Sequence, residues 1–262
     1  MASENYVMGR GEVHFAPFLP GTKTLPQGGG YRFLGNVPTF TLGVTSDKYE
    51  HFRSTRGVKE KDLTVILQTN RSATIEAEDI IPDNLQFFFL GSTSNVAQAT
   101  TSSLTESFTD VVPGRRYFVG VTGNNPTGYR NLTTPVLKKG STTLTPGVDY
   151  VIDVTRGFFD VLIGGAGGVI SGDDLTLEFG IAASTRKRTI SGSDSVEGAM
   201  RFLSYNAVGE NIDYFMPYVQ ISPNGEFSLI GDELQKLPLT VDVQALTPYE
   251  ALYMDGQPVS LV

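Results

Sequence analysis

The sequence predicts a mainly-β protein with one short helix and a small β-sandwich inserted between two parts of a larger β domain. Three observations carry this reading. Apolar and polar residues alternate with a period of two over most of the chain, turn residues punctuate the alternating runs, and a single stretch shows helical spacing instead. The chain has 262 residues, 40% of them hydrophobic and 18% charged, which is the composition of a folded chain long enough to bury a sizeable core.

In chain order, Val7 to Phe15 reads as the first strand by its β-branched and aromatic content. Pro17 to Gly30 then reads as a long surface loop. Phe40, Leu42 and Val44 alternate with threonines, and Leu63, Val65 and Leu67 alternate with polar residues in a run that extends toward Ile75. Between them, Ser46 to Asp62 mixes Asp47, Lys48, Glu50, Arg53, Arg56, Lys59 and Lys61 with Tyr49 and Phe52 and has no clear period. It reads as a long loop, a feature that in compact domains tends to be functional. From Asp79 to Gly91, Ile81, Leu85, Phe88 and Phe89 fall at helical spacing. Pro82 suits the first turn, Asp83 the positive end of the dipole and Gly91 the stop, so a helix of about ten residues lays this aromatic face on a sheet. Met200 to Tyr205 and Asp213 to Ile221 are further strands. Pro223-Asn224-Gly225 predicts a hairpin turn into Phe227 to Ile230, and Leu237 to Ala245 is the cleanest alternation in the chain.

From Asn125 to Thr185 the texture changes. Val136 to Lys138, Thr142 to Leu144, Asp149 to Val154, Phe158 to Ile163 and Leu175 to Phe179 are short strands separated by closely spaced turns, the pattern of a small β-sandwich. The longer-strand pattern resumes after Ser191. The expected organisation is therefore a first domain in two parts, residues 1–124 and 189–262, with an insert at 125–188.

Composition narrows the chemistry. With no Cys there is no disulfide framework, thiol nucleophile or iron–sulfur cluster. With only His14 and His51, far apart in sequence, neither a His-based triad nor a zinc site is expected. The net charge of −8 argues against a nucleic-acid binder. No apolar run approaches the length of a membrane span, and the first residues lack the pattern of a secretory leader. Gly164 to Gly168 is glycine-rich, but no helical pattern or lysine follows, so it meets neither phosphate-binding fingerprint. Asp173-Asp174 reads as a turn, and Arg186-Lys187-Arg188 as a solvated hinge or subunit contact. The sequence therefore predicts no catalytic, metal or cofactor residues and no enzyme.

Tyr6 to Phe15, Phe18-Leu-Pro-Gly-Thr, Tyr31 to Leu42, Tyr49 to Arg71, the stretch around Pro82 to Gly91 and Ile221 to Leu237 together resemble the major tail tube proteins of long-tailed bacteriophages and prophages. The resemblance covers about residues 5–123 and 190–262. It implies a β-sandwich or barrel with a flanking helix, and the insert resembles the immunoglobulin-like additions of tail proteins. It also implies a structural virion protein: subunits join into rings, usually hexameric, which stack into the tail tube and conduct DNA during ejection. The implied partners are other copies of the chain, the terminator, tape-measure and tail-tip proteins, and DNA passing through without specific binding; no membrane is involved. The implied place is the virion tail, assembled in the host cytoplasm.

On this resemblance the stretch Ser46 to Asp62 reaches a neighbouring ring, with Tyr49, Phe52, Arg53, Arg56, Lys59 and Asp62 as inter-ring candidates. Asp62, Glu76, Glu78 and Asp242 are candidates for acids facing the lumen, where negative charge repels DNA weakly and lets it slide. Two other readings stand beside this one. The first is a virion-surface or tail-tip β-sandwich that binds host glycan or protein through the insert. The second is a β-rich hydrolase using paired carboxylates.

Overall fold

The computed structural model describes residues 6–257 except Pro20, Gln27 and Arg56. The chain is mainly β with one short helix, as the sequence predicts. Contacts divide it into two compact units, one formed by residues 1–93 and 189–262 and the other by residues 94–188.

The first unit contains β1 (Gly11–Pro17), β2 (Arg32–Phe33), β3 (Thr39–Arg53), β4 (Glu60–Ala77) and α1 (Pro82–Phe88). The chain then enters the second unit along β5 (Ser92–Gln98), through β6 (Thr101–Val111), β7 (Arg116–Phe118), β8 (Leu132–Lys139), β9 (Thr142–Thr143), β10 (Tyr150–Asp153), β11 (Phe158–Val161) and β12 (Asp173–Ile181). It leaves along β13 (Ser184–Ile190), which pairs with β5. The first unit resumes with β14 (Val196–Ser204), β15 (Ile212–Pro223), β16 (Leu237–Val243) and β17 (Tyr253–Gly256).

The first unit is one antiparallel sheet in the order β2-β1-β14-β15-β16-β4-β3, with β17 paired to β15. Register fixes its two faces. Leu42, Ala73, Val241, Ile221 and Val196 form one row across five strands, while Gly43, Ser72, Asp242, Gln220 and Glu197 form the next. Because directly opposed residues share a face, one side of the sheet is apolar and the other polar. The apolar side, with Phe15, Ile75, Met200, Met216 and Leu239 fully buried or nearly so, is the core. Each such side chain contributes about 1.5–3 kcal/mol by leaving water. Phe40 of β3 stacks on Phe202 of β14 with ring centroids 5.4 Å apart, so strands that are not neighbours in the sheet touch across that core.

The helix starts at Pro82, as its fixed φ favours, but the face it buries differs from the expected one. Asn84 and Phe87 are buried, whereas Phe89 is exposed. Phe87 meets Phe15 edge-on at 5.2 Å, and Asn84 Nδ2 donates to Leu34 O (3.0 Å) and Asp79 O (2.8 Å). Two otherwise orphaned loop carbonyls thus turn the polar Asn84 inward, which spacing of apolar residues alone does not register. Gly91 does not take the left-handed cap; Leu90 does, at φ +47. Gly91 is required because a Cβ there would lie 1.8 Å from Ile190 O.

The second unit is a two-sheet sandwich, β6-β12-β8-β9 and β10-β11-β7. Its core centres on Phe159, stacked on Tyr117 (5.4 Å) and edge-on to Phe108 (4.9 Å). The sequence placed its start at Asn125; the structure places it at Ser94, because β6 pairs with β12 and β7 with β11. The Gly164–Gly168 stretch is a clasp: Gly167 N donates to Asp149 Oδ1 (2.6 Å) and Thr145 N to Asp149 Oδ2 (2.7 Å). Phe227 to Ile230 is not a strand. Asn224 N bonds Pro238 O at 3.0 Å, and an irregular excursion runs from there to β16, with Phe227 resting on Phe88 and Phe89. Aromatic packing on the helix outcompetes a second hairpin there.

Three carboxyls of the second unit are held in their charged form by their surroundings. Backbone N–H donors hold the Asp149 carboxyl below the ordinary aspartate value, the Arg116 guanidinium does the same for Asp160, and Ile170 N and then Lys139 for Asp173. A depressed carboxyl contributes stability above its unfolded pKa of about 3.9 and loses it as the pH falls through the folded value. Burial raises Glu106 instead, so its ionisation opposes folding at neutral pH and that penalty fades on acidification. Denaturant titration by circular dichroism should therefore show stability falling below about pH 4. Asp149→Asn should be destabilised at pH 7 and show a shallower acid loss; an unchanged pH profile would contradict the clasp.

Candidate functional site: an exposed two-stranded ribbon

The stretch read as an aperiodic loop from Ser46 to Asp62 is paired β-structure. β3 and β4 stay in antiparallel register from Thr39↔Glu76 to Arg53↔Glu60, with irregularities at Asp47/Lys48 and His51/Phe52. The extra residues, Leu67 and Asp62, both lie on β4, so each shifts the side-chain phase of that strand by one residue. Ser46 to Arg53 looks loop-like because it is exposed on both faces and nothing buried imposes an alternation on it.

The proximal part of this hairpin belongs to the sheet, since β16 pairs with Arg71 to Ala77. Beyond Val44 and Arg71 the two strands continue without a third. Every described residue from Gly43 to Asn70 is exposed. At about 3.3 Å per residue, the eleven residues Gly43 to Arg53 extend about 35 Å. Among the described residues no strand pairs with either outer edge of this ribbon, so two rows of backbone donors and acceptors face solvent.

Its side chains are unusual for a solvated ribbon. Val44, Tyr49, Phe52, Val58, Leu63, Val65, Ile66 and Leu67 are all exposed, Val58 at 79% and Leu67 at 68%. Tyr49 opposes Val65 and His51 opposes Leu63, which places Tyr49, Leu63 and Val65 on one face. Polar contacts hold the outer end together. Asp62 accepts from His51 Nδ1 at 2.6 Å and lies 3.8 Å from Arg53 Nε, and Lys61 pairs with Glu50. Such exposed pairs contribute little each, about 0–1 kcal/mol. A lone two-stranded hairpin is marginal in water; this one has no core beneath its outer half.

The residues expected to act between subunits are brought together here. Tyr49, Phe52 and Arg53 lie on β3, Lys59 at the tip and Asp62 on β4; Arg56 lies outside the described residues. The four acids expected to share a surface are not assembled as a set. Glu76 and Asp242 lie on the polar face of the sheet, Glu76 within 3.4 Å of Lys236. Glu78 lies past the end of β4, where it accepts from Asn36 at 2.6 Å. Asp62 is ten residues along β4 from Ser72, the partner of Asp242, or about 33 Å. Sequence reasoning missed Leu63, Val65, Ile66 and Leu67 as site residues, because their alternation resembles that of a strand with one buried face. A second exposed apolar group, Leu229, Ile230 and Leu234, lies on the excursion before β16.

Among the described residues no group of three His, Cys, Asp or Glu is placed to hold a metal ion, and no helix is long and apolar enough to cross a membrane. Fold and site together define a mainly-β protein whose most distinctive surface is an unsupported apolar ribbon. The chain matches, over residues 6–248, the family described as "Protein of unknown function UCP028589", and it belongs to that family. No curated protein matches it in sequence. The family match spans both units, so the inserted sandwich lies within it.

Because the exposed ribbon lies outside the core cluster, Val65→Ser and Leu67→Ser should leave the unfolding free energy of the chain within about 0.5 kcal/mol of wild type. Denaturant titration measures this directly. A loss beyond about 1 kcal/mol would mean that these side chains pack against the rest of their own chain.

Proposed function

We propose that the chain is a structural subunit that assembles with copies of itself into stacked rings, forming the tail tube through which a long-tailed phage ejects its DNA. The observation that carries this reading is the ribbon from Gly43 to Asn70, with both edges unpaired and eight large apolar side chains exposed. Edge strands left open in this way aggregate unless a partner covers them, and a repeating assembly supplies that partner at every subunit. In this reading the ribbon reaches a neighbouring ring. The long free edge of β3 and the much shorter strand β2 at the opposite side of the sheet serve lateral contacts.

Charge supports the same reading. The first unit carries 20 acidic against 11 basic residues, whereas the second carries 8 against 9, so the whole negative surplus lies in the unit with the large sheet. The polar face of that sheet, with Glu76 and Asp242 among Thr39, Thr41, Thr74 and Thr240, suits a bore wall: hydrophilic, with negative charge that keeps a phosphate backbone from adhering. A conduit needs no catalytic residues.

Negative-stain electron microscopy and sedimentation velocity test the proposal. The wild-type chain should form rings or tubes at high concentration, and Leu63→Asp combined with Val65→Asp should leave folded single subunits. A wild type that stays strictly monomeric at high protein concentration would overturn it.

A further inference from the structure

The second unit gathers three arginines around one residue. Arg130 Nη1 donates to Thr127 O at 2.8 Å, and also to Tyr129 O (3.0 Å) and Arg156 O (2.7 Å). Arg186 Nη2 donates to Thr127 Oγ1 and Gly128 O, both at 3.1 Å. Arg188 Nη2 donates to the same Thr127 Oγ1 at 2.8 Å, and lies 3.5 Å from Asn125 Oδ1. Three guanidiniums therefore converge on Thr127 from one strand, β13, and a loop, and all three arginines are half-buried.

Their partners are neutral: backbone carbonyls, one hydroxyl and one amide. Among the described residues none of the three has a carboxylate within ion-pairing distance, although arginines elsewhere in the unit, such as Arg116 with Asp160 at 2.8 Å, do. Like charges held this close oppose one another. Consistent with that, burial and then the charges of Arg130 and Arg188 hold the Arg186 guanidinium below the ordinary arginine value. The carbonyls, Thr127 and Asn125 engage one nitrogen of each fork, Nη1 of Arg130 and Nη2 of Arg186 and Arg188, and a guanidinium carries five N–H donors in all. Beside Arg186 opens a cavity of about 340 Å³ lined by Gln98, Thr101, Asn125 and Tyr129.

We propose that this cluster of Arg130, Arg186 and Arg188 is a binding site for a tetrahedral oxyanion, a phosphate or sulfate group, free or esterified to a small molecule. A carboxylate offers two oxygens and matches one planar fork. A tetrahedral anion offers oxygens in several directions and up to two negative charges, which fits guanidiniums approaching from different elements. The adjoining cavity leaves room for an ester's remaining atoms. The sequence run Arg186-Lys187-Arg188, read as a solvated hinge, is thus half of a site completed by Arg130 from a distant loop.

Isothermal titration calorimetry on the full chain tests this, using sodium sulfate, sodium phosphate, glucose 6-phosphate and sodium acetate, with ionic strength held constant by sodium chloride. Sulfate and phosphate should bind one saturable site per chain, at least about tenfold more tightly than acetate. Arg186→Gln and Arg188→Gln should each weaken binding about tenfold or more, while Lys138→Gln, whose charge pairs with Glu178 in the same unit, should not. Tighter binding of the sugar phosphate than of free phosphate assigns the site to an ester; the reverse assigns it to the free anion. If a glutamine variant fails to fold by circular dichroism, Arg188→Lys keeps the charge but loses the fork, and should still weaken sulfate binding. The proposal is overturned if the wild type shows no saturable binding, if acetate binds as tightly as sulfate, or if the folded variants bind unchanged.

Discussion

The β3–β4 pairing begins inside the core, where Phe40 opposes Ile75 and Leu42 opposes Ala73, and runs on into water without changing partner. Inside the sheet this pairing is supported from both sides, by β16 next to β4 and by apolar packing beneath. Outside it, the same backbone bonds have water at both edges and on both faces. One continuous ladder thus anchors a sheet and carries an apolar ribbon that none of the described residues covers. The polar opposite face of the sheet, its open β3 edge and the reading of the chain as an assembly subunit all follow from where that ladder loses its neighbours.

Most of the fold was legible wherever one face is buried. Leu237 to Val243 and the short strands around Leu137, Phe159 and Leu177 alternate because each pairs a core face with a solvated one. Legibility fails where that condition fails. The ribbon buries neither face, so selection for alternation is absent and two bulges scramble what remains. The helix buries Asn84 to satisfy carbonyls supplied by residues fifty and five positions away, a tertiary demand with no local signature. β6 and β7 belong to the second unit only through pairing with β12 and β11, which lie over fifty and about forty residues downstream. Strand content was local information; strand membership was not.

The site divides the same way. The mixed charge and aromatics of Tyr49 to Asp62 drew notice to a stretch that the structure shows as a ladder rather than a loop, and the apolar run Leu63 to Leu67 was read as core. The acids were chosen by strand phase, which placed Glu76 and Asp242 on a common face. Asp62 sits apart from them, far out on the ribbon in a clasp with His51 and Arg53. The arginine cluster needed Thr127 as a meeting point, and no spacing in the sequence announces that Arg130 and Arg186 share it. The two units also differ in charge, the first strongly acidic and the second near neutral with a local excess of cations, which suits separate roles for the large sheet and the inserted sandwich.

The central claim is that the ribbon is an unsupported element that becomes ordered only against another copy. Amide hydrogen exchange of Gly43 to Arg53 and Glu60 to Asn70 tests it most directly, with the same chain compared as dilute subunit and as assembled particle. The account predicts rapid exchange in the dilute subunit, while the core strands around Ile75 and Val241 stay protected, and strong slowing of the ribbon amides on assembly. Ribbon amides already as protected as the core in the dilute subunit, or unchanged in the assembled particle, would contradict it.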